Sequence, residues 1–426
     1  MKVLLVSANT ETMNMPVLPL GMSCVARAAE DAGHDVHQIN LMTQPDALNG
    51  LRKTIEDHGP DVIGISVRNI DDQASEGVKF LLEPVKAIVD TCRSYSDAKI
   101  VLGGAGYSIF PQDALTYLDG DMGIQGEGER SFVLLLDALQ NGGDISKIPG
   151  LFNRKGDVQN ANKPVMNIDS LKLPEPDKQI WSLDRVTDQP LWLPIQTRRG
   201  CPLDCSYCST STIEGSVIRK RSIDTIIAAM RSYTSAGFDH YFFVDNTFNL
   251  PSGYAEDLCS RMIESDLRLK WRGIVHPWKI DEKLVEKMAA SGCAEVSLGF
   301  ESGSDVILEN MHKRFKTEDV RTISNMFKSA GIGVMGFLLL GSPGETRQTV
   351  SESLAFVDSL ELSAVKVTVG VRIYPYTALA THARAVGMID EDDNLLMPTF
   401  YIEDGMKEWL RITARDFVKD RPNWFY

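Results

Sequence analysis

The chain has 426 residues, enough for two domains that each close a core. Hydrophobic residues make up 43% and charged residues 24%, an ordinary globular balance. The formal net charge is −14, so the surface repels phosphate backbones and anionic membranes, and nucleic acid is excluded as a primary partner.

The N-terminal part alternates apolar strands with helices. KVLLVSA at residues 2–8 opens it, and its apolar run is too short for a secretory signal. No run reaches the length of a bilayer-spanning helix, and the chain reads as cytoplasmic. A helix is expected around 20–32, then the strand DVHQINL, a second helix and the strand VIGISVR. A third helix is expected over roughly 76–93, followed by the strands KIVLGGAG and MGIQGEGE and a helix from about Ser131. Continuous apolar strands between helices imply a buried parallel sheet. Five such units fit an N-terminal flavodoxin-like, doubly wound α/β domain over 1–144. Ligands of that fold bind at the carboxyl ends of the strands. The candidates there are Gly103, Gly104 and Gly106 after the fourth strand, and Gly126, Glu127 and Gly128 after the fifth. Tight connections would use the same glycines.

Residues 145–190 are proline-rich with little periodicity and read as a linker with a short hairpin. From Leu191 to about residue 385 a second alternating pattern follows. Its strands are LPIQT, YFFVD, WRGIV, EVSLGFE, VMGFLLLG and VKVTVGVRIY. Helices between them end at Gly237, Gly292 and Gly331, as a left-handed cap requires. Six βα units predict a partial (β/α)6 barrel, whose active site would gather at the strand ends. A short helical C-terminal extension is expected over 386–426, with Trp409, Leu410 and Phe417 packing on the barrel.

The stretch 198-RRGCPLDCSYCST-210 follows the first barrel strand and holds Cys201, Cys205 and Cys208. An odd total of seven cysteines, three of them crowded, argues against a disulfide framework. Structural zinc wants a fourth ligand, and the next Cys or His is His240. A four-iron cluster takes three thiolates and leaves one iron open for a small molecule, which this spacing fits.

On this spacing, with Tyr207 before the last cysteine, the sequence resembles a radical S-adenosylmethionine enzyme. The resemblance implies a [4Fe-4S] cluster on Cys201, Cys205 and Cys208, with S-adenosyl-L-methionine at the open iron. By position it implies an amine contact from Asp245, Asn246 and Thr247, written DNT rather than the common GGE. Glu301 and Ser302 fall near the ribose and methionine, and the turn from Gly341 to Glu345 near the adenine. Helix caps and turns would use several of the same residues. With the first domain placed before it, the chain is similar to cobalamin-dependent radical S-adenosylmethionine enzymes. The supporting stretches are 18-LPLGMSCVARAAEDAGHDV-36, 103-GGAG-106, 125-QGEGE-129 and 370-GVRIYPYT-377. The Asp-x-His-x-x-Gly motif of many cobalamin proteins is missing, so the likeness is to the branch without a histidine ligand. There the loop after the third strand, 66-SVRNIDDQ-73, places Arg68 or Asn69 under cobalt. Arginine offers no lone pair and cannot ligate; pairing with Asp71 or Asp72 is the alternative.

The family resemblance implies a methyltransferase that methylates an unactivated carbon through a 5′-deoxyadenosyl radical and methylcobalamin. Two rivals remain: a non-methylating cyclisation or ring rearrangement with the same cofactors, and a non-catalytic metal or cobalamin carrier. A flavodoxin or ferredoxin would supply electrons. The substrate is open among a peptide residue, a lipid, a tetrapyrrole and a natural product. Cys24, Cys92, Cys259 and Cys293 read as buried inert thiols, while His276, Trp278, Arg372, Tyr374 and Tyr376 are pocket candidates at strand ends.

Overall fold

Short runs of β-branched and aliphatic residues between helices become the mainly parallel strands of two sheets. The computed structural model describes residues 1–12, 16–177, 180–182, 186–187 and 190–426; positions 178–179, 183–185 and 188–189 of the expected linker lie outside the described residues. The chain divides into two compact units. One comprises Met1–Asp72, Lys79–Pro194 and Thr210–Arg221, the other Gln73–Val78, Ile195–Ser209 and Ser222–Tyr426.

In the first unit Lys2–Ser7 is flanked by Asp35–Asn40 and Val62–Ser66, and the sheet continues through Lys99–Gly103 and Met122–Ile124. These pairs are all parallel, in the 2-1-3-4-5 order of a flavodoxin-like sheet. Val3, Leu4, Leu5 and Val6 are buried, as a strand covered on both faces demands. Helices Leu20–Asp31 and Gly128–Asn141 pack together, as do Ala47–His58 and Leu82–Tyr95. Leu151–Asn153, from the stretch expected as linker, joins antiparallel to Met122–Ile124 as an edge strand.

The helix expected over 76–93 starts only at Leu82. Ahead of it the chain makes a hairpin-like excursion. Asp71 bridges Phe80, Asp72 N–H donates to the Lys79 carbonyl, and Leu81 N–H donates to the Ile70 carbonyl. Gly77 at φ +63° is incompatible with helix there. The tip, Gln73–Val78, belongs to the second unit. Ser75 Oγ donates to the Val369 carbonyl, Arg411 donates to the Ser75 carbonyl at 2.7 Å, and Arg415 pairs with Glu76.

The second unit is built on the strands His240–Phe243, Lys270–Val275, Cys293–Glu301, Gly333–Leu340, Ala364–Val369 and Trp424–Phe425, in that order, with Ile195 at the end of strand Leu193–Ile195 on the first edge. Alternate residues are buried. Trp271, Val296, Leu338 and Val367 sit in the core, while Arg272, Ile274, Ser297, Met335 and Phe337 on the other face stay half-exposed. Ser222 caps helix Ile223–Ser235 by accepting the Thr225 N–H, and Ile226, Ile227, Met230 and Tyr233 form its buried stripe. Gly237, Gly292 and Gly331 take φ of +98°, +94° and +74° after their helices.

Two expectations change at the C-terminal side. The long strand VKVTVGVRIY breaks at Gly370, φ +89°, because the chain turns away and Val371–Arg372 pairs antiparallel with Phe400–Tyr401. The extension is not all helical: helix Lys407–Lys419 buries Leu410, but Trp424–Phe425 then adds a parallel strand beside Ala364–Val369.

Candidate functional site

The cysteine loop leaves the carboxyl end of the first barrel strand without regular structure between 201 and 208. Cys208 N–H donates to the Cys205 carbonyl at 3.1 Å, a tight turn that brings those two residues together. Among the described residues no cysteine is in a disulfide, and no group of His, Cys, Asp and Glu converges on one point as a single ion requires. A cluster divides its thiolates among separate irons, so the donor set fits iron–sulfur better than zinc.

The loop is strapped by a segment with no sequence motif of its own, Met311 to Arg314. Ser206 N–H donates to the Met311 carbonyl at 3.1 Å. His312 Nδ1 lies 3.1 Å from the Asp204 carbonyl. Arg314 donates to the Pro202 carbonyl at 3.4 Å and pairs with Asp204 at 3.2 Å, holding that carboxyl below its usual range. Lys313 Nζ donates to Tyr207 Oη at 3.0 Å and lies 3.6 Å from Glu301. Glu301 itself ends its strand at φ +71°, a left-handed conformation that is costly for a residue with a Cβ. Burial, then the Glu301 charge and the neighbouring thiols, hold the Tyr207 hydroxyl well above the usual phenol range.

Other strand-end candidates turn out to be engaged within the protein. Asp245 is fully buried. One carboxylate oxygen accepts the N–H groups of Thr197 and Arg198 at 2.7 and 3.1 Å. The other accepts the Thr197 hydroxyl at 2.5 Å and lies 3.2 Å from Arg198 Nε. This carboxylate clamps the end of the first strand, which leaves Asn246, half-exposed, and Thr247 of that run beside it. Further on, Asn249 fixes the next loop: it accepts the His276 N–H and donates to the carbonyls of His276 and Trp278. Burial pushes the His276 imidazole down to about 3, so it is neutral at working pH. Ser302 is buried against Ser353 at 3.0 Å and caps the Ser304 N–H. Arg372 donates to the carbonyls of Ile373 and Leu395, a structural role. Tyr374 accepts from Gln73 at 3.1 Å, whereas Tyr376 is 88% exposed. Burial drives the Cys92 and Cys259 thiols up to about 12, which keeps them inert.

In the first unit the glycines of 103-GGAG-106 approach protein rather than open space. A Cβ on Gly104 would stand 2.5 Å from the Val67 carbonyl oxygen, and one on Gly106 2.9 Å from the Arg68 carbonyl oxygen. Their bareness lets the fourth strand's turn seat the loop that carries Arg68 and Asn69. Gly103 accepts the Val67 N–H at 2.7 Å in the same contact. Arg68 is exposed, touches Asn69 Oδ1 at 3.4 Å and forms no ion pair among the described residues, so the pairing with Asp71 or Asp72 is not made. Gly126 N–H donates to Ser108 Oγ at 2.8 Å, and Gly128 opens the following helix. Glu127 is engaged internally: it accepts the Val165 N–H at 2.8 Å and pairs with the buried Arg219, which makes it an anchor for later chain rather than a ligand contact.

The sequence matches the Radical SAM superfamily over residues 195–357 and the B12 binding domain over residues 6–136. The chain thus carries a radical SAM domain behind a B12-binding domain. It is 27% identical over 399 residues to an uncharacterized methyltransferase of Pyrococcus horikoshii, covering 91% of this chain and 84% of the relative. It is 23% identical over 441 residues to tryptophan 2-C-methyltransferase of Streptomyces laurentii, covering 87% and 73%. The solved structure of the radical S-adenosylmethionine methyltransferase TsrM from Kitasatospora setae, with tryptophan substrate and an S-adenosylmethionine analog bound, superposes with a TM-score of 0.85. That match is 22% identical and covers 99% of this chain and 90% of that one. The likeness confirms the fold. No helix among the described residues is long and apolar enough to cross a membrane.

The radical SAM domain carries one titratable turn of its own. Glu345 is 2% exposed. Its Oε2 accepts the N–H groups of Gly341 and Ser342, and its Oε1 has no partner among the described residues. Burial outweighs the two donors and pushes the carboxyl up to about 7 from 4.5. Between those values the folded chain holds a proton that the unfolded chain has lost. The stability this gives is complete below about 4.5 and fades as pH rises through about 7. Glu345→Gln should therefore melt with a flatter pH profile and gain over the parent near pH 8. The gain should be roughly 1–3 kcal/mol, since each tenfold change in proton affinity is worth about 1.4 kcal/mol. Parallel melting curves for the two proteins from pH 5 to 8 would refute this.

Proposed function

We propose that this chain is a cobalamin-dependent radical S-adenosylmethionine methyltransferase that methylates an unactivated carbon of a compact organic substrate. The observation that carries the reading is the three-thiol loop at the carboxyl end of a parallel barrel strand, in a chain that also has a B12-binding domain. When bound, the cluster, S-adenosylmethionine and cobalamin supply an electron, a carbon radical and a methyl donor.

The protein's own residues have narrower tasks. Cys201, Cys205 and Cys208 offer thiolates for three irons, and the loop has no fourth sulfur ligand to close the site. Asn246, Thr247, Glu301 and the turn at Gly341 are the candidates for holding the methionine and adenosine parts. Asp245 and Ser302 fix the neighbouring chain through Thr197, Arg198 and Ser353. Arg68, on the loop whose backbone Gly104 and Gly106 seat, carries a guanidinium that cannot donate a lone pair to cobalt; Asn69 beside it can. His276, neutral because burial pushes its imidazole down to about 3, adds no charge of its own after the strand Lys270–Val275. The enzyme would work in a reducing cytoplasm, with electrons from a flavodoxin or ferredoxin.

The test is anaerobic reconstitution with iron, sulfide and hydroxocobalamin, followed by metal analysis. About four irons and one cobalt per chain are expected. Turnover with a methyl-accepting substrate should then release both S-adenosylhomocysteine and 5′-deoxyadenosine. Release of 5′-deoxyadenosine alone would point to a non-methylating reaction. Iron without cobalt would remove the cobalamin half of the reading.

A further inference from the structure

The strap across the cysteine loop contains one charge with no evident reason to be buried. The Lys313 side chain is 4% exposed. Its ammonium donates to Tyr207 Oη at 3.0 Å and to the Gly299 carbonyl at 3.4 Å, lies 3.6 Å from Glu301, and stands 5.3 Å from the Tyr207 ring centre. Taking an ammonium out of water costs several kcal/mol, and an apolar residue of similar size would fill the space without that cost. Its partners are Tyr207, inside the cysteine loop, and Glu301, on the strand end opposite it.

We propose that Lys313 is a positioning residue that pins Tyr207 and Glu301 beside the cysteine loop and raises the reduction potential of the cluster held there. The inference rests on the cluster assignment above. An iron–sulfur cluster held by three thiolates carries net negative charge, and adding an electron makes it more negative. A fixed positive charge in a poorly hydrated site stabilises the reduced form more than the oxidised form. No bond to the cluster is made or broken: it gains one electron, and an external one-electron reductant such as titanium(III) citrate loses one. Glu301 tempers the effect, which gives the pair a reason to sit together: the lysine sets the field and the glutamate keeps the ammonium oriented. The neighbouring Arg314 is a control, because it is partly exposed and pairs with Asp204 on the outer side of the loop.

The experiment is an anaerobic redox titration of the reconstituted full chain, read by the electron paramagnetic resonance of the reduced cluster, with iron content measured in parallel. Lys313→Gln, Lys313→Met and Lys313→Arg are compared with the parent and with Arg314→Gln. The neutral variants should keep the parent's iron content yet be at least tenfold harder to reduce, a shift of about 59 mV to more negative potential for one electron. Lys313→Arg should restore most of the shift, and Arg314→Gln should move it far less. Unchanged potentials in the neutral variants would overturn the proposal. So would failure of all three Lys313 variants to bind iron while the parent does, since the lysine would then be a structural strut only. If the parent itself binds no iron, the cluster assignment fails instead, and the two failures are told apart by that one measurement.

Discussion

Cys205→Ala and Cys208→Ala should each lower iron in the reconstituted chain to background, with loss of the broad visible absorbance of an iron–sulfur cluster. Cys92→Ala and Cys259→Ala should leave both at the parent level. The contrast follows from environment. Thiolate, not thiol, binds iron, and burial holds Cys92 and Cys259 near 12, so they stay protonated at neutral pH. Cys205 and Cys208 instead sit together on one turn and are only partly buried, so iron can reach both. Iron retained in Cys205→Ala, or lost in Cys259→Ala, would show that the donor set has been misassigned.

Asp245→Ala carries the largest expected effect on the fold. The mutation leaves Arg198 buried beside a hole, with two backbone N–H groups and the Thr197 hydroxyl deprived of their acceptor. Removing one partner of a buried ion pair costs about 3–5 kcal/mol. Arg198 has other partners in the carbonyls of Phe248 and Leu250, so the loss belongs to the lower part of that range. Asp245→Asn keeps the acceptor for the N–H groups and should lose about half as much. Thermal melting of the three proteins tests this. An alanine variant that melts with the parent would mean that the carboxylate is dispensable to the fold and open to a ligand role after all.

Much of the architecture could be read from residue order. Runs such as KVLLVS and VIGIS have no polar face, so only a sheet covered on both sides can hold them, and the parallel order followed. Gly237, Gly292 and Gly331 marked helix ends because few other residues take their backbone conformation. The cysteine spacing was legible for the same local reason: three ligands on one loop need no tertiary structure to be recognised. What escaped was long-range. Asp245 looked like a ligand contact, and only the fold shows Thr197 and Arg198 closing on it. Met311 to Arg314 has no local motif. Its meaning lies in contacts to a loop about a hundred residues earlier, and a Lys-Arg pair just after a helix reads as a solvated end. The helix expected from residue 76 failed because its first turn belongs to another part of the molecule. Gly77 was the one visible warning.

That last feature bears on how such proteins can be taken apart. The second unit is not contiguous in sequence: Gln73–Val78 is threaded into it from the chain of the first. A fragment starting at Leu191 would leave Arg411 and Arg415 without Ser75 and Glu76, and the Val369 carbonyl without its hydroxyl donor. The two units of this chain are therefore not separable by one cut in sequence. Replacing this chain's B12-binding domain by a single crossover in the linker should fail unless the incoming domain brings a counterpart of Gln73–Val78.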